Sequence, residues 1–596
     1  MSSMSVVATA GHVDHGKSTL VKALTGIEPD RWEEEQRRAL TIDLGYAWTT
    51  LPGGGTVAFV DVPGHRRFIG NMLAGLGPVP AVMFVVAADE SWMPQSAEHL
   101  AAAAALGVEH ALLVVTRADL ADPAPALARA RAELSEAGLA PRAALAVSAR
   151  AGAGMDELRA AVADLVAALP APDPAARVRL WIDRAFTING AGTVVTGTLP
   201  AGTIRVGDTL DLLGRRVSVR GLHSLEQPRD AVSGVARVAV NLRGVATADL
   251  HRGQALLTPG AWHATSVLDV RLTLPEGART AADLPEHLML HIGTAAHEAR
   301  VRPLGSDGAR LTLAEPLPLA AGDRAILRDP GTGRVAGALV LDVDPPELRR
   351  RGAGARRAEE LAARAAGVDL TIEVRARGYL GVEEARRLGV GDDDLTTLPA
   401  GIVRRADLLV DERVWSRWQE ALSDVTADYA RTHPLEPWMP ADAARTAAGI
   451  PRLDLVGPLA EAAGLTHEGG RVHEPGIRAD LGAAEAGLAR IEARLAAQPF
   501  AAPEQPELDA AGLGPREVAA AVRAGRLLRL DDGVLLQPIA PAKAMRILAG
   551  LPQPFTTSEA RKALDTTRRV AIPLLEHLDA KGWTRRLDAG HREVAR

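Results

Sequence analysis

Gly11-His-Val-Asp-His-Gly-Lys-Ser18 fits G-x-x-x-x-G-K-[ST], the pattern of a loop that cradles phosphates. Glycine is needed there because backbone N–H groups must turn toward an anion, and the helix that follows adds its partial positive charge. Both flanks suit this. Val6-Val7-Ala8 reads as a short buried strand, and Thr19 to Leu24 opens a helix. Gly11, His12, Val13, Asp14, His15, Gly16, Lys17, Ser18 and Thr19 are therefore the candidate phosphate-contacting residues. Lys17 is placed for the β- and γ-phosphates of a nucleoside triphosphate, and the Ser18 hydroxyl for Mg2+.

Composition strengthens the reading. Of 68 basic residues only five are lysine: Lys17, Lys22, Lys543, Lys562 and Lys581. A lysine at the one position where a compact ammonium suits phosphates is informative in a chain that otherwise writes arginine. The length of 596 residues predicts roughly four or more domains of ~150 residues each. A hydrophobic content of 47% and a net charge of −6 describe a globular chain, so any nucleic-acid site must be local. The lack of cysteine excludes disulfides and thiolate metal sites and fits a reducing cytosol. The N-terminus has no signal pattern, and no apolar run reaches ~18 residues. The longest candidate, Ala101 to Val115, is broken by Glu109 and His110. A cytoplasmic protein without a membrane segment is expected.

Strand-like and helix-like segments alternate over residues 1–172, the pattern of a doubly wound α/β domain. Thr56 to Val60 reads as a buried strand that ends in Asp61-Val62-Pro63-Gly64-His65. An aspartate and a glycine turn at a strand's C-terminal end lie where such sheets bind ligands. Asp61 is expected to reach Mg2+ through water, and the Gly64 N–H to face the γ-phosphate. Val82 to Ala87 and Ala111 to Val115 read as further strands, the latter ending in Thr116-Arg117-Ala118-Asp119. Leu145 to Val147 ends in Ser148-Ala149-Arg150.

These spacings resemble the translational GTPases related to elongation factor Tu. The resemblance implies GTP and GDP as ligands, with Thr116, Arg117, Asp119, Ser148, Ala149 and Arg150 around the guanine. The fourth motif departs from the usual Asn-Lys-x-Asp: Thr116 and Arg117 stand for Asn and Lys, while Asp119 is kept for the guanine N1 and exocyclic amine. In that family the residue matching Thr41 binds Mg2+ and the γ-phosphate only in the GTP state, an order-to-release switch. His65 is expected to orient the attacking water, since phosphoryl transfer depends on positioning more than on a strong base. The resemblance further implies an apolar gate, Val13 and Leu40, that restrains His65 until the ribosome triggers hydrolysis.

Beyond Ala171-Pro-Asp-Pro174 the pattern changes to short alternating β-runs with glycine turns. Two β-barrel domains are expected, over 175–260 and 262–345. Gly190-Ala-Gly-Thr-Val-Val-Thr-Gly197 resembles the second domain of elongation factor Tu and its relatives. Leu40-Thr-Ile-Asp-Leu-Gly-Tyr-Ala47, Asp183-Arg-Ala-Phe186 and His291-Ile-Gly-Thr294 resemble the bacterial selenocysteine-specific elongation factors. A selenocysteine side chain ionises far more readily than cysteine, so a pocket that selects it should be cationic. The resemblance places Arg184 and Arg237 at the aminoacyl pocket, flanked by Tyr46 and Phe186, with His223 and His251 as weaker candidates.

Leu348 to Arg357, rich in Arg and Gly, reads as a hinge. Helical periodicity then alternates with short β-like pieces, which fits tandem winged-helix (α+β) domains at 355–423, 424–478, 480–538 and 540–596. Pro541 to Arg596 holds eleven Lys and Arg against six Asp and Glu, so it is basic within an acidic chain. Thr566-Thr567-Arg568-Arg569 precedes Ala571, Leu574, Leu575 and Leu578, one face of a helix with a threonine N-cap. Pro573 demands a later start or a kink. Trp583-Thr-Arg-Arg586 and His591-Arg-Glu-Val594 flank a hairpin turn, with Trp583 expected in the core. Arg568, Arg569, Arg585, Arg586 and Arg592 are the candidate RNA-binding residues, suited to backbone contact and stacking.

The expected protein is a monomeric translation GTPase. It takes selenocysteinyl-tRNA and an mRNA selenocysteine insertion hairpin as partners and delivers the tRNA to the ribosome. Two alternatives remain open at this point: a general aminoacyl-tRNA carrier with an unrelated tail, and a GTP-switched winged-helix nucleic-acid regulator.

Overall fold

The computed structural model describes residues 4–29, 41, 43–51, 55–65, 68–77, 79–188, 190, 192–212 and 214–595. The chain divides into two compact units, residues 1–400 with 407–409, and residues 401–406 with 410–596. The division runs through the stretch expected as the first winged helix.

The first unit begins with a six-stranded sheet, order β2-β3-β1-β4-β5-β6. Its strands are β1 (Met4–Ala10), β2 (Gly45–Thr50), β3 (Thr56–Asp61), β4 (Ala81–Ala87), β5 (His110–Thr116) and β6 (Ala143–Ala146). All pairs are parallel except the edge pair β2–β3. Strand β4, Ala-Val-Met-Phe-Val-Val-Ala, is buried throughout, as expected of a parallel strand covered on both faces. Helices α1 (Lys17–Thr25) and α5 (Met155–Ala167) cover one face through Leu20, Leu24, Leu158 and Leu165. Helices α2 (Ile69–Leu76), α3 (Pro94–Ala105) and α4 (Ala124–Glu136) cover the other through Met72, Leu100 and Leu134. Strand β1 lies between β3 and β4, so the loop leaving its C-terminal end opens at the switch point where such sheets bind ligands.

Two β-rich domains follow. Residues 179–257 form an antiparallel sheet around one apolar core that includes Leu180, Val195, Leu222, Val240 and Leu256. Strands from His263–Thr273 to Val335–Asp342 close into a six-stranded barrel.

The expected hinge at 348–357 is instead a bolted seam. Helix Ala353–Ala363 buries Leu361 against Leu304 and Leu341 of the closed barrel. Arg357 is 3% exposed. It donates from Nε to Asp269 Oδ2 at 2.7 Å and from its terminal nitrogens to Asp342 and Glu360 at 2.5 and 3.0 Å. Arg310 holds the other side of Asp269 at 2.7 and 2.9 Å. Of the arginines that suggested a solvated linker, Arg357 is here neutralised by buried barrel aspartates, while Arg349, Arg350, Arg351 and Arg356 stay exposed.

The second unit is built from helices and short sheets. Helix Glu412–Thr432 packs with Ala441–Ala447 and Val456–Ala462 beside a three-stranded sheet. Residues from Leu481 to Val594 share one continuous apolar cluster, so the last two expected winged helices are fused through a common core. The final domain has helices Ala540–Leu548, Thr557–Ala563 and Arg568–Ala580, then strands Thr584–Arg586 and His591–Val594. Helix Arg568–Ala580 continues across Pro573, with Thr567 as an N-cap whose side chain makes no capping bond. The capping box lies one helix earlier, between Thr556 and Glu559.

Candidate nucleotide site and adjoining pocket

The phosphate loop is held from several directions. Gly11 has φ +135°, and a Cβ there would lie 2.1 Å from the Val85 carbonyl oxygen, so only glycine fits. Its N–H donates to His99 Nδ1 at 3.1 Å, and the Val13 N–H donates to Gln95 Oε1 at 2.9 Å. Thr116 Oγ1 donates to the His15 carbonyl at 2.8 Å, and Arg117 donates to the Asp14 carbonyl. The Thr-Arg departure from Asn-Lys therefore still braces the loop. Burial pushes His99 down to about 3 and His15 to about 4. Both rings are neutral at pH 7, which is the state His99 Nδ1 needs in order to accept. The 3.5 Å approach of His15 Nε2 to Glu90 is thus a contact with a neutral ring. Lys17 Nζ donates to the carbonyls of Gly11 and His12 at 3.1 and 2.7 Å. A Cβ on Gly64 would fall 2.6 Å from the Val13 nitrogen and 2.7 Å from Lys17 Nζ, so glycine lets the end of β3 close on the loop.

Ser18, Thr41 and Asp61 converge beside it. Ser18 Oγ lies 3.0 Å from Thr41 Oγ1 and donates to Asp61 Oδ2 at 2.6 Å, while Thr9 Oγ1 donates to Asp61 Oδ1 at 2.6 Å. Two hydroxyls and a carboxylate are the hard oxygen donors that Mg2+ takes. Asp119 is held below the usual carboxylate range, first by the Ser148 side chain and then by a backbone N–H and Arg150. Ser148, Ala149 and Arg150 follow β6, where the Ala151 N–H donates to Ser148 Oγ at 3.0 Å. His65 is half-buried, with its ring 6.1 Å from that of Phe68. Val13 of the expected gate is half-buried; Leu40 lies outside the described residues.

A cavity of about 310 Å³ separates the nucleotide domain from the second domain, lined by Tyr46, Arg184, Phe186, His223 and Arg237 among others. Strand register explains the convergence. Arg184 pairs with Thr196 and Arg237 with Thr198 on the strand between them, and residues two apart on a strand share a face. Arg237 donates both terminal nitrogens to Asp183, and its guanidinium lies 3.8 Å from the Tyr46 ring centre. Arg184 pairs with Asp43 at 2.8 Å and donates to the Leu44 carbonyl at 2.8 Å. His251 is engaged elsewhere, with Gln254 at 3.0 Å.

The GTP-binding domain family of elongation factor Tu matches residues 2–168, and the β-barrel domain family of selenocysteine-specific elongation factors matches residues 271–347. The winged-helix family of elongation factor SelB matches residues 546–592. The selenocysteine-specific elongation factor of Desulfomicrobium baculatum is 30% identical over 98% of both chains. That of Escherichia coli K12 is 37% identical over 72% of this chain and 71% of its own. The chain belongs to the selenocysteine-specific elongation factors. A crystal structure of a bacterial selenocysteine-specific elongation factor superposes with TM-score 0.78 over 100% of both chains at 24% identity, a likeness of fold.

This elongation factor is thus a GTPase with two β-barrel domains and winged helices at its C-terminal end. Among its described residues no helix is long and apolar enough to cross a membrane. In the last winged helix Arg568, Arg569, Arg585 and Arg586 are exposed. Arg569 donates to the Ala502 carbonyl at 3.2 Å, Arg585 to Glu593 at 3.0 Å, and Arg586 to the Asp588 carbonyl at 3.0 Å. Arg592 does not join that surface. It is 5% exposed and donates to Asp579 Oδ2 and Thr557 Oγ1 at 2.8 and 3.1 Å. Trp583 is 42% exposed rather than in the core.

Sequence reasoning missed the counter-charges Asp43 and Asp183, although Asp183 adjoins Arg184 in a stretch already singled out. It also missed Gln95 and His99. Their spacing of four on α3 was the available signal, because it sets both on one helix face.

Proposed function

We propose that this GTPase carries selenocysteinyl-tRNA to the ribosome at UGA, guided by an mRNA hairpin bound to its last winged helix, residues 540–596. The observation that carries the reading is the convergence of Arg184 and Arg237 on one cavity beneath Tyr46. Two guanidiniums favour an ionised selenol over the neutral hydroxyl of serine by charge-assisted contact. Phe186 and His223 line the same cavity. The domain limits that go with this reading are 1–172, 175–260 and 262–345, followed by the winged helices.

In the nucleotide site Lys17 binds the β- and γ-phosphates. Ser18 and Thr41 would hold Mg2+, with Asp61 reaching it through water; bound there, the ion neutralises charge on the transferring phosphoryl group. Asp119 accepts from the guanine, and Thr116 and Arg117 fix the loop beneath it. His65 orients the attacking water, and release of Thr41 after hydrolysis frees the switch. The protein works as a monomer in the cytoplasm.

Two measurements test the reading. Purified protein with GTP should bind selenocysteinyl-tRNA at least tenfold more tightly than seryl-tRNA on the same tRNA body, a difference of about 1.4 kcal/mol. Equal affinities would refute the pocket assignment. His65→Ala should bind GTP normally and lose ribosome-stimulated hydrolysis. Lost GTP binding would make His65 a structural residue.

A further inference from the structure

Asp89 and Glu90 leave strand β4 on the nucleotide side of the sheet. Arg117, from the loop after β5, donates to Asp89 at 2.9 and 3.1 Å and to Glu90 at 2.9 Å. The same guanidinium donates to the Asp14 carbonyl of the phosphate loop. Three loops therefore meet on one side chain. Both Asp14 and Arg117 sit in the left-handed region, at φ +65° and +55°. Aspartate visits this region readily, whereas at Arg117 the conformation persists only where the surroundings enforce it. A lysine has one donor centre. An arginine presents five N–H groups in a fixed plane and can hold two carboxylates and a carbonyl together.

We propose that Asp89 and Glu90 form, with Arg117, an ionic latch that sets how fast guanine nucleotide leaves. Neither carboxylate is assigned to the nucleotide. Each acts as a positioning residue by holding Arg117 against the Asp14 carbonyl, which fixes the base loop 116–119 onto the phosphate loop 11–18. Thr116 makes the parallel bond to His15, so breaking the ionic contact loosens one of two ties and leaves the site intact. The three side chains are 29 to 37% exposed, so the latch is open to salt screening in a way that the buried Thr116 tie is not.

The sign of the effect separates this role from plain electrostatics. Two carboxylates near a phosphate loop repel a polyphosphate, and neutralising them should by itself slow release. As latch members they should do the opposite. The proposal rests on the site being a guanine-nucleotide site, which equilibrium binding of GDP to each protein checks separately.

The test is release of a fluorescent GDP analogue from full-length protein, chased with excess GDP, for wild type, Asp89→Asn with Glu90→Gln, and Arg117→Lys. The double variant should release nucleotide about threefold faster or more, the scale expected for an exposed ionic network. Wild-type release should accelerate with salt toward the variant's rate, while the variant's rate stays nearly flat. Arg117→Lys should fall between the two. Melting temperatures should match. Slower or unchanged release in the double variant, an equal salt slope in both proteins, or faster release with a lowered melting temperature would each overturn the latch. Failure of every protein to bind GDP would instead overturn the nucleotide site.

Discussion

Arg237 lies over Tyr46, with its guanidinium carbon 3.8 Å from the ring centre, and the same guanidinium is paired with Asp183. The tyrosine comes from strand β2 of the nucleotide domain and the arginine from strand Ala236–Arg243 of the second domain. One cation–π pair thus joins the domain that hydrolyses GTP to the one proposed to hold the cargo. Burial first, with Asp183 nearby, raises the Tyr46 hydroxyl above its usual range, and the guanidinium is drawn to the electron-rich face of the ring.

The two pocket arginines should respond differently to removal. Arg237 is 15% exposed and Asp183 5% exposed, while Arg184 and Asp43 are 29 and 28% exposed. Arg237→Met strands a buried carboxylate and should cost about 3–5 kcal/mol of stability. Arg184→Met should cost under about 1 kcal/mol and chiefly erase the preference for selenocysteinyl-tRNA. Denaturant melts alongside tRNA binding distinguish them. A destabilised Arg184→Met with intact selectivity would reverse the assignment.

Acid sensitivity follows from buried histidines. His15, His99 and His291 have folded-state values of about 4, 3 and 4, each lowered mainly by burial from 6.5. Below about 6.5 the unfolded chain binds protons that the folded chain refuses. The stability held by these neutral rings is therefore complete above that pH and lost as pH falls toward the folded values. Each ring contributes a slope of about 1.4 kcal/mol per pH unit in that window. His99→Gln retains an oxygen to accept from Gly11 and removes one proton from the count. Calorimetry between about pH 7.5 and 5 should show a shallower fall in its melting temperature than in wild type. Identical slopes would show that His99 is not held neutral.

What the sequence made legible was local chemistry. Gly11, Lys17, Asp61 and Gly64 stand at strand ends and on the turn and helix start that follow β1, as their types and spacing suggest. The pairing of Asp183 with Arg237 spans 54 residues and depends on two strand registers, which no local pattern encodes. The misread hinge has the same origin. Arg357 looks like a solvated linker residue until barrel closure sets Asp269 and Asp342 side by side in register. Arg592 and Trp583 show the limit of reading charge and size alone. The arginine is buried because Asp579 and Thr557 satisfy it, and the tryptophan is exposed.

The seam between the closed barrel and helix Ala353–Ala363 should be a stability element. Arg357→Met leaves Asp269 and Asp342 short of a buried counter-charge and should lower stability by about 3–5 kcal/mol. Arg349→Ala breaks an ion pair whose partners are 81 and 69% exposed and should change stability by under about 1 kcal/mol. Urea titration of the full chain checks both. A hinge would predict equal, negligible effects.

In the last winged helix, Arg586 and Arg592 stand on the same hairpin and pair across it, yet their fates should diverge. Arg592 ties the wing to helix Arg568–Ala580 through Asp579 and sits under the surface. Arg592→Ala leaves Asp579 with an unpaired charge and should melt this domain earlier, so any loss of RNA binding would be indirect. Arg586 lies on the solvent side, with its guanidinium on the carbonyls of the turn. If that side meets a hairpin backbone, Arg586→Ala should leave the melt unchanged, weaken binding, and reduce the slope of log affinity against log salt by about 0.7–0.9. Binding of a selenocysteine insertion hairpin at several salt concentrations, with a thermal melt of each variant, measures both. An unchanged salt slope for Arg586→Ala would move the RNA contact off the wing and onto the exposed start of the helix, Arg568 and Arg569.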